Sequence, residues 1–232
     1  QVESINQNGI TVLEEDGTEQ HFSNIRAMKS GTCKEVADLV IVFVKSTHTE
    51  SSLEENKELF GENTLVMTLQ NGAGNDRKIA KYVKTENIII GTSKHNSVNL
   101  GGGKIRHSGN GVTTIGSNLE ENVHLQTVAD LLSEAGFQSA VSDDIQRIIW
   151  SKLFVNLSIN TFTAITETPI AYMIENQYAW DFAEKMICEA VDVAEADGTH
   201  FYYMEVLDMV HHVCENAGKG YSSMYQDVKR CI

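Results

Sequence analysis

Three apolar runs of strand length, separated by segments with helical character, constrain this chain more than anything else in it. "ADLVIVFVK" (37–45), "NTLVMTLQ" (63–70) and "ENIIIG" (86–91) show almost no alternation of polar and apolar residues. A strand covered on one face alternates, whereas one covered on both faces reads as continuous hydrophobic sequence. "HTESSLEENKELFG" (48–61) and "DRKIAKYV" (76–83) fill the intervals with helical patterns. Strand, helix, strand, helix, strand is the signature of an α/β layer with a parallel sheet. Ahead of it, "GITVLEEDGTEQHF" (9–22) predicts a hairpin around Asp16-Gly17, a dipeptide suited to a type I′ turn. The third run continues through "TSKHNSVNL" as one strand, and "GGGKIRHSGNG" (101–111) reads as a flexible hairpin, because no helix follows it as a phosphate loop requires.

From Asp143 the period lengthens. Helices are predicted over 144–165, with Ser142 or Asp143 as N-cap, over 177–197 ending at Gly198, and over 204–216 ending near Gly218. The only proline, Pro169, follows the first of them. The expected organisation is therefore an α/β half, 1–142, and an all-helical half, 143–232.

Charge narrows the function. Lys and Arg total 18 against 32 Asp and Glu, a net charge of −14, which repels nucleic-acid phosphates and anionic membrane surfaces. No uninterrupted apolar run approaches the ~18 residues of a membrane span. Cys33, Cys188, Cys214 and Cys231 form no C-x-x-C pair and are expected as reduced thiols in a cytoplasmic protein. The eight histidines show neither H-x-x-x-H nor H-E-x-x-H spacing, so no metal site is expected. The N-terminus shows neither an initiator methionine nor a signal pattern and reads as the middle of a longer sequence.

Two segments carry candidate chemistry. "QNGAGN" (70–75) sits where a buried strand ends and is either a tight β-α turn or a place where backbone approaches a ligand. "WSKLFVNLSIN" (150–160) places Lys152, Asn156 and Asn160 four residues apart in an otherwise apolar helix. Each step of four residues turns a side chain by only about 40°, so the three form one slowly drifting polar stripe. Buried amides need polar company, and a small polar ligand beside the stripe would supply it.

"WSKLFVNLSINTFTAI", with "LQNGAG" before it and "YSSMYQD" after it, resembles the 2-dehydropantoate 2-reductases, or ketopantoate reductases. The resemblance implies a Rossmann-type dinucleotide-binding domain, here partial, followed by a helical substrate and dimerisation domain. It also implies reduction of a 2-oxo acid, 2-dehydropantoate, to (R)-pantoate by NADPH, on the route to pantothenate and coenzyme A, and a homodimer as the assembly. By resemblance Lys152 is the catalytic lysine; Asn71, Asn156, Asn160 and Ser223 bind substrate; and Lys45, Asn71 and Ser97 lie on the cofactor side. Lysine suits the role, since an ammonium can protonate the oxygen left by hydride addition and burial lowers its pKa toward the working range. The family's opening strand and G-x-G-x-x-G loop precede the first residue, its late glutamate lies beyond Ile232, and Ile170 stands where some members carry a polar substrate-side residue. The chain as it stands is therefore expected to bind cofactor badly. A reductase of another 2-oxo acid, and a non-catalytic binding or dimerisation module, are the alternative readings.

Overall fold

The computed structural model describes residues 1–229, which form two compact units, Gln1–Ile145 and a second from Gln146 onward. The first unit contains nine strands: β1 (Ile10–Leu13), β2 (Glu19–Phe22), β3 (Leu39–Val42), β4 (Leu65–Thr68), β5 (Ile88–Ser93), β6 (Asn96–Gly101), β7 (Lys104–Gly109), β8 (Thr113–Gly116) and β9 (Ser139–Val141). They make a five-stranded sheet in the order β3-β4-β5-β8-β9 and a four-stranded sheet in the order β2-β1-β7-β6.

The three apolar runs became β3, β4 and β5, mutually parallel, with Val66, Met67, Ile89 and Ile90 almost wholly buried. The sheet as a whole is mixed and not purely parallel, because β8 joins β5 antiparallel before β9 returns parallel to β8. That pairing depends on Gly91, where a Cβ would stand 2.4 Å from the Thr114 carbonyl oxygen. Met67, Ile89 and Ile115 pack with Val128 and Ala129 of the helix Leu125–Glu134, closing one face of the sheet into a core.

Two expectations about local structure are corrected. The run after Ile90 is not one strand: it breaks at Lys94-His95, and β6 leaves for the second sheet. The first hairpin does form, but Gly17 (φ +86°) ends a three-residue loop closed by Glu14 N–H to the Thr18 carbonyl, 2.9 Å. A type I turn followed by a left-handed residue gives the same reversal as the two-residue turn expected from Asp-Gly. The hairpin at 101–103 connects β6 to β7 as read.

The second unit is helical. The segment Ile145–Thr166 is one helical run of 22 residues, made of the helix Ile145–Val155, a π-helical turn Asn156–Asn160 and the helix Thr161–Thr166. Gln177–Ala196, whose first turn is capped by the Asn176 side chain, and Tyr203–Ala217 follow as predicted, with Gly198 (φ +90°) and Gly218 (φ +50°) beyond their ends. By length and composition the 22-residue run would suffice to cross a membrane, with a mean hydropathy of 1.2 over an 18-residue stretch, although Arg147, Lys152, Asn156 and Asn160 interrupt its apolar sequence. Its residues Phe154, Ser158, Ile159, Thr163 and Ala164 are instead buried within the protein, as in a core helix. Among the described residues Cys33, Cys188 and Cys214 are free thiols; Cys231 lies outside them.

Candidate functional site

In the first unit, β3 and β4 end side by side, and Lys45 and Asn71 follow their carboxyl ends. Both residues are exposed. Their loops are tied together by Gln70, whose Nε2 donates to the Val44 carbonyl (2.5 Å) and to Thr49 Oγ1 (3.0 Å), while its Oε1 accepts from Thr68 Oγ1 (3.0 Å). Lys78 adds a second tie, donating from Nζ to the Ser46 carbonyl at 3.0 Å. The "QNGAGN" loop turns through Gly72 (φ +95°) and Gly74 (φ +80°), conformations a side chain would strain. No atom lies within 4 Å of where a Cβ would stand at either glycine. The loop is thus a β-α turn and also an open backbone surface at the carboxyl edge of parallel strands, where α/β proteins take nucleotides.

Ser97 is not on that edge. It lies on β6 in the other sheet and lines a cavity of about 650 Å³ with Val12, Glu14, Phe22, His95 and His107. Here the structure shows a constellation that sequence reading missed. Glu14 Oε2 lies 2.7 Å from His107 Nδ1, His107 Nε2 lies 3.1 Å from His95 Nδ1, and the two rings stack at 5.3 Å. His95 Nε2 ends the series buried and without a hydrogen-bond partner. Glu14 and His107 are 93 residues apart and meet only because β1 pairs with β7, so no local spacing announces them.

In the second unit, Lys152, Asn156 and Asn160 share the long helical run, all three half-buried. The turn before Lys152 is anchored twice. Arg147 donates to the His200 carbonyl (2.6 Å) and Glu205 (2.5 Å), and Trp150 donates to Asp197 (3.3 Å). After Lys152 the helix widens into the π turn that spans both asparagines. In α geometry the step from Lys152 to Asn156 rotates the side chain by about +40°. In a π turn of ~4.4 residues, the step from Asn156 to Asn160 rotates it by roughly −33°. The second step cancels most of the first, so the drifting stripe expected from sequence becomes a nearly straight row.

Asn160 Nδ2 donates to Asn156 Oδ1 at 3.2 Å, which leaves the Asn156 N–H groups and the Asn160 carbonyl for a ligand. The row thus sets the two amides in line with the Lys152 side chain. Ser223 begins the helix Ser223–Lys229 and is exposed; its neighbour Ser222 is buried and supplies the helix cap, accepting from Tyr225 N–H at 3.3 Å. That helix packs against the π turn and Thr161–Thr166, which brings Ser223 to the element carrying the asparagine row.

Residues 1–120 match the model of the ketopantoate reductase PanE/ApbA family and residues 144–231 match that of its C-terminal domain. A 2-dehydropantoate 2-reductase from Halobacterium salinarum is 31% identical over 226 residues, covering 97% of this chain and 73% of the relative. One from Lactococcus lactis is 31% identical over 84% of this chain and 64% of the relative. Among solved structures, D-mandelate dehydrogenase with NADH and anilino(oxo)acetate superposes with a TM-score of 0.89 at 26% identity, covering 99% of this chain and 74% of that one. The 2-dehydropantoate 2-reductase of Geobacter metallireducens gives 0.86 at 26% identity, over 99% and 76%.

Proposed function

Because the chain belongs to the ketopantoate reductase PanE/ApbA family, we propose that it reduces 2-dehydropantoate to (R)-pantoate with NADPH, a cytoplasmic step toward pantothenate and coenzyme A. Oxidoreductase chemistry on a nicotinamide dinucleotide comes with the family; the substrate, the phosphorylated form of the cofactor and the location are this proposal. The observation that carries it is the row of Lys152, Asn156 and Asn160 straightened by the π turn.

NADPH, when bound, supplies a hydride for the ketone carbon. The residues of that edge that would hold it are Lys45 and Asn71, and the open glycine backbone after β4 fits a flat ring approaching the sheet edge; Ser97, on the other sheet, is left out of this set. The chain's own work is on the oxo acid. Ser223 donates its hydroxyl to the carboxylate, and Asn156 and Asn160 hold the remaining oxygens through neutral amides, which bring no opposing charge to Lys152. Lys152 donates a proton to the carbonyl oxygen as negative charge develops there, an interaction stronger in the transition state than in the ground state. We place the homodimer contact on the helical unit, where the side chains of Ile165, Tyr178 and Phe182 are exposed.

A second reading has its own support: the fold likeness to D-mandelate dehydrogenase favours a 2-oxo acid with an aromatic substituent. Steady-state rates with a panel of aliphatic and aromatic 2-oxo acids, each with NADPH and NADH, decide between them. The proposal expects 2-dehydropantoate with NADPH to give the highest kcat/KM. A higher value for an aromatic oxo acid overturns the substrate assignment, and a higher value with NADH overturns the cofactor assignment.

A further inference from the structure

Three hydroxyl groups in the helical unit are buried to 3% exposure or less: Ser158, Thr163 and Ser222. None faces solvent, and none belongs to the row proposed to touch substrate. A buried hydroxyl is costly unless it is bonded, and all three are bonded in one pattern. Ser158 donates to the Phe154 carbonyl at 2.6 Å, back across the start of the π turn. Thr163 Oγ1 lies 2.8 Å from the Ile159 carbonyl at the far end of the same turn and 2.9 Å from Ser222 Oγ. Ser222 Oγ in turn accepts from Tyr225 N–H.

A hydroxyl has one hydrogen to give, so Thr163 and Ser222 must share theirs along a line that runs from the π-turn carbonyl to the backbone of the Ser223 helix. The segment leading into Ser222 is itself fastened: Ile170 N–H donates to the Gly220 carbonyl (2.9 Å) and Ala171 N–H to the Gly218 carbonyl (3.2 Å). Side-chain bonds back to helix carbonyls weaken and bend helices, and here they bracket the turn that aligns Asn156 with Asn160.

We propose that the Thr163–Ser222 hydroxyl pair is a positioning device that sets the distance between Ser223 and the Asn156–Asn160 row, and so sets affinity for the oxo acid without joining the proton or hydride transfer. This rests on the reading of Asn156, Asn160 and Ser223 as substrate-binding residues. Neither Thr163 nor Ser222 touches substrate; they act through the groups they hold. A misplacement of an ångström in such a supporting layer weakens binding of a small ligand strongly.

The test compares the full protein with Thr163→Val, which keeps the shape and deletes the hydroxyl, Thr163→Ser, which restores it, and Ser222→Ala. Kinetics with 2-dehydropantoate and NADPH are paired with amide hydrogen exchange over 156–163 and 222–226. Thr163→Val and Ser222→Ala are expected to raise KM for the oxo acid by about tenfold, as loss of one well-placed contact does, with kcat within roughly threefold and KM for NADPH unchanged. Thr163→Ser should return to within about twofold of the starting protein by the same reasoning. Exchange should quicken in both segments, although only one was altered. An unchanged KM in both deletions overturns the proposal, as does a Thr163→Ser protein as defective as Thr163→Val. Should Thr163→Val not fold, Ser222→Ala at the helix start carries the same expectation. If the unaltered protein reduces no 2-oxo acid, the functional reading fails by itself, and exchange alone judges the link: quickening confined to the altered segment overturns it.

Discussion

Replacing Lys152 with alanine separates catalysis from architecture, because the structure holds the helix by other means. The turn before Lys152 is fixed by Arg147 on the His200 carbonyl and Glu205 and by Trp150 on Asp197. Phe154 and Ile159, each no more than 1% exposed, secure the turns after it. Alanine is also the best helix former, so the melting temperature should move by no more than a few degrees, the scale of about 1 kcal/mol. The chemistry should suffer far more. A positioned proton donor contributes roughly 10² to 10⁴ in rate, equivalent to about 2.7 to 5.4 kcal/mol of barrier. The ammonium acts chiefly once charge grows on the substrate oxygen, so the loss should appear in kcat, with KM for NADPH little changed. Lys152→Met, which keeps the apolar stem and its packing, should lose as much turnover as Lys152→Ala. Steady-state kinetics and thermal melting on both variants supply the check. Turnover within tenfold of the starting protein, or an unfolded variant in both cases, would refute a catalytic role and leave Lys152 structural.

Asn156→Ala and Asn160→Ala should each raise KM for the oxo acid by one to two orders of magnitude, about 1.4 to 2.7 kcal/mol, with a smaller fall in kcat; an effect only on kcat would move these residues from binding to chemistry. Glu167 sits at φ +57° after the helix Thr161–Thr166, a conformation that penalises any Cβ, so Glu167→Gly should be more stable than Glu167→Ala by roughly 1 kcal/mol. Both variants lose the exposed Lys229 ion pair equally, and a denaturation series in which alanine proves more stable contradicts the strain. Burial pushes the Cys214 thiol up to about 11. At pH 8 iodoacetamide should therefore label Cys188 and Cys33 and spare Cys214 until denaturant is added; labelling of Cys214 in the folded protein counts against it. A thiol whose pKa is raised on folding contributes stability fully below its unfolded value of ~8.5, and that contribution is lost as pH climbs toward about 11.

The parts of the fold that could be read in advance are those where one residue pattern had one physical outcome. Val66, Met67, Ile89 and Ile90 had to be covered on both faces, and Gly198 and Gly218 had to follow helix ends because they adopt positive φ there. The helix Leu125–Glu134 was not read in advance, although Leu125, Val128, Ala129 and Leu132 are spaced as one helical face, and its short neighbours β8 and β9 gave no strand signal of their own. The second sheet escaped because β7 shows an alternation of half-buried and exposed positions, which a free hairpin shows as well. Which strand β7 meets is settled by its parallel pairing with β1, some 90 residues earlier in the chain, and that same pairing creates the Glu14–His107–His95 series.

The site shows a subtler limit. Lys152, Asn156 and Asn160 were conspicuous as residue types, yet their spacing alone would have put them out of line. In an uninterrupted α-helix Asn160 would stand about 80° around the axis from Lys152, so a ligand a few ångströms across and seated on the lysine would meet Asn156 and miss Asn160. The π turn brings that angle back to within roughly 10°. Nothing in the apolar periodicity marks it, since hydrophobic spacing records which side chains are covered and says little about which carbonyl an amide bonds. At either end of it Ser158 and Thr163 bond back to Phe154 and Ile159, but Ser151 and Thr166 make the same kind of bond within the α-helical stretches, so hydroxyls of this type do not by themselves announce the turn. What sets Ser158 and Thr163 apart is that they bracket the turn, which makes their removal the direct test of whether these bonds hold it. Converting Ser158 and Thr163 together to alanine and valine should let the run revert toward α geometry. The helix signal in circular dichroism should then hold or rise while affinity for the oxo acid falls, and a fall in both would mean that the turn is held by packing rather than by these bonds.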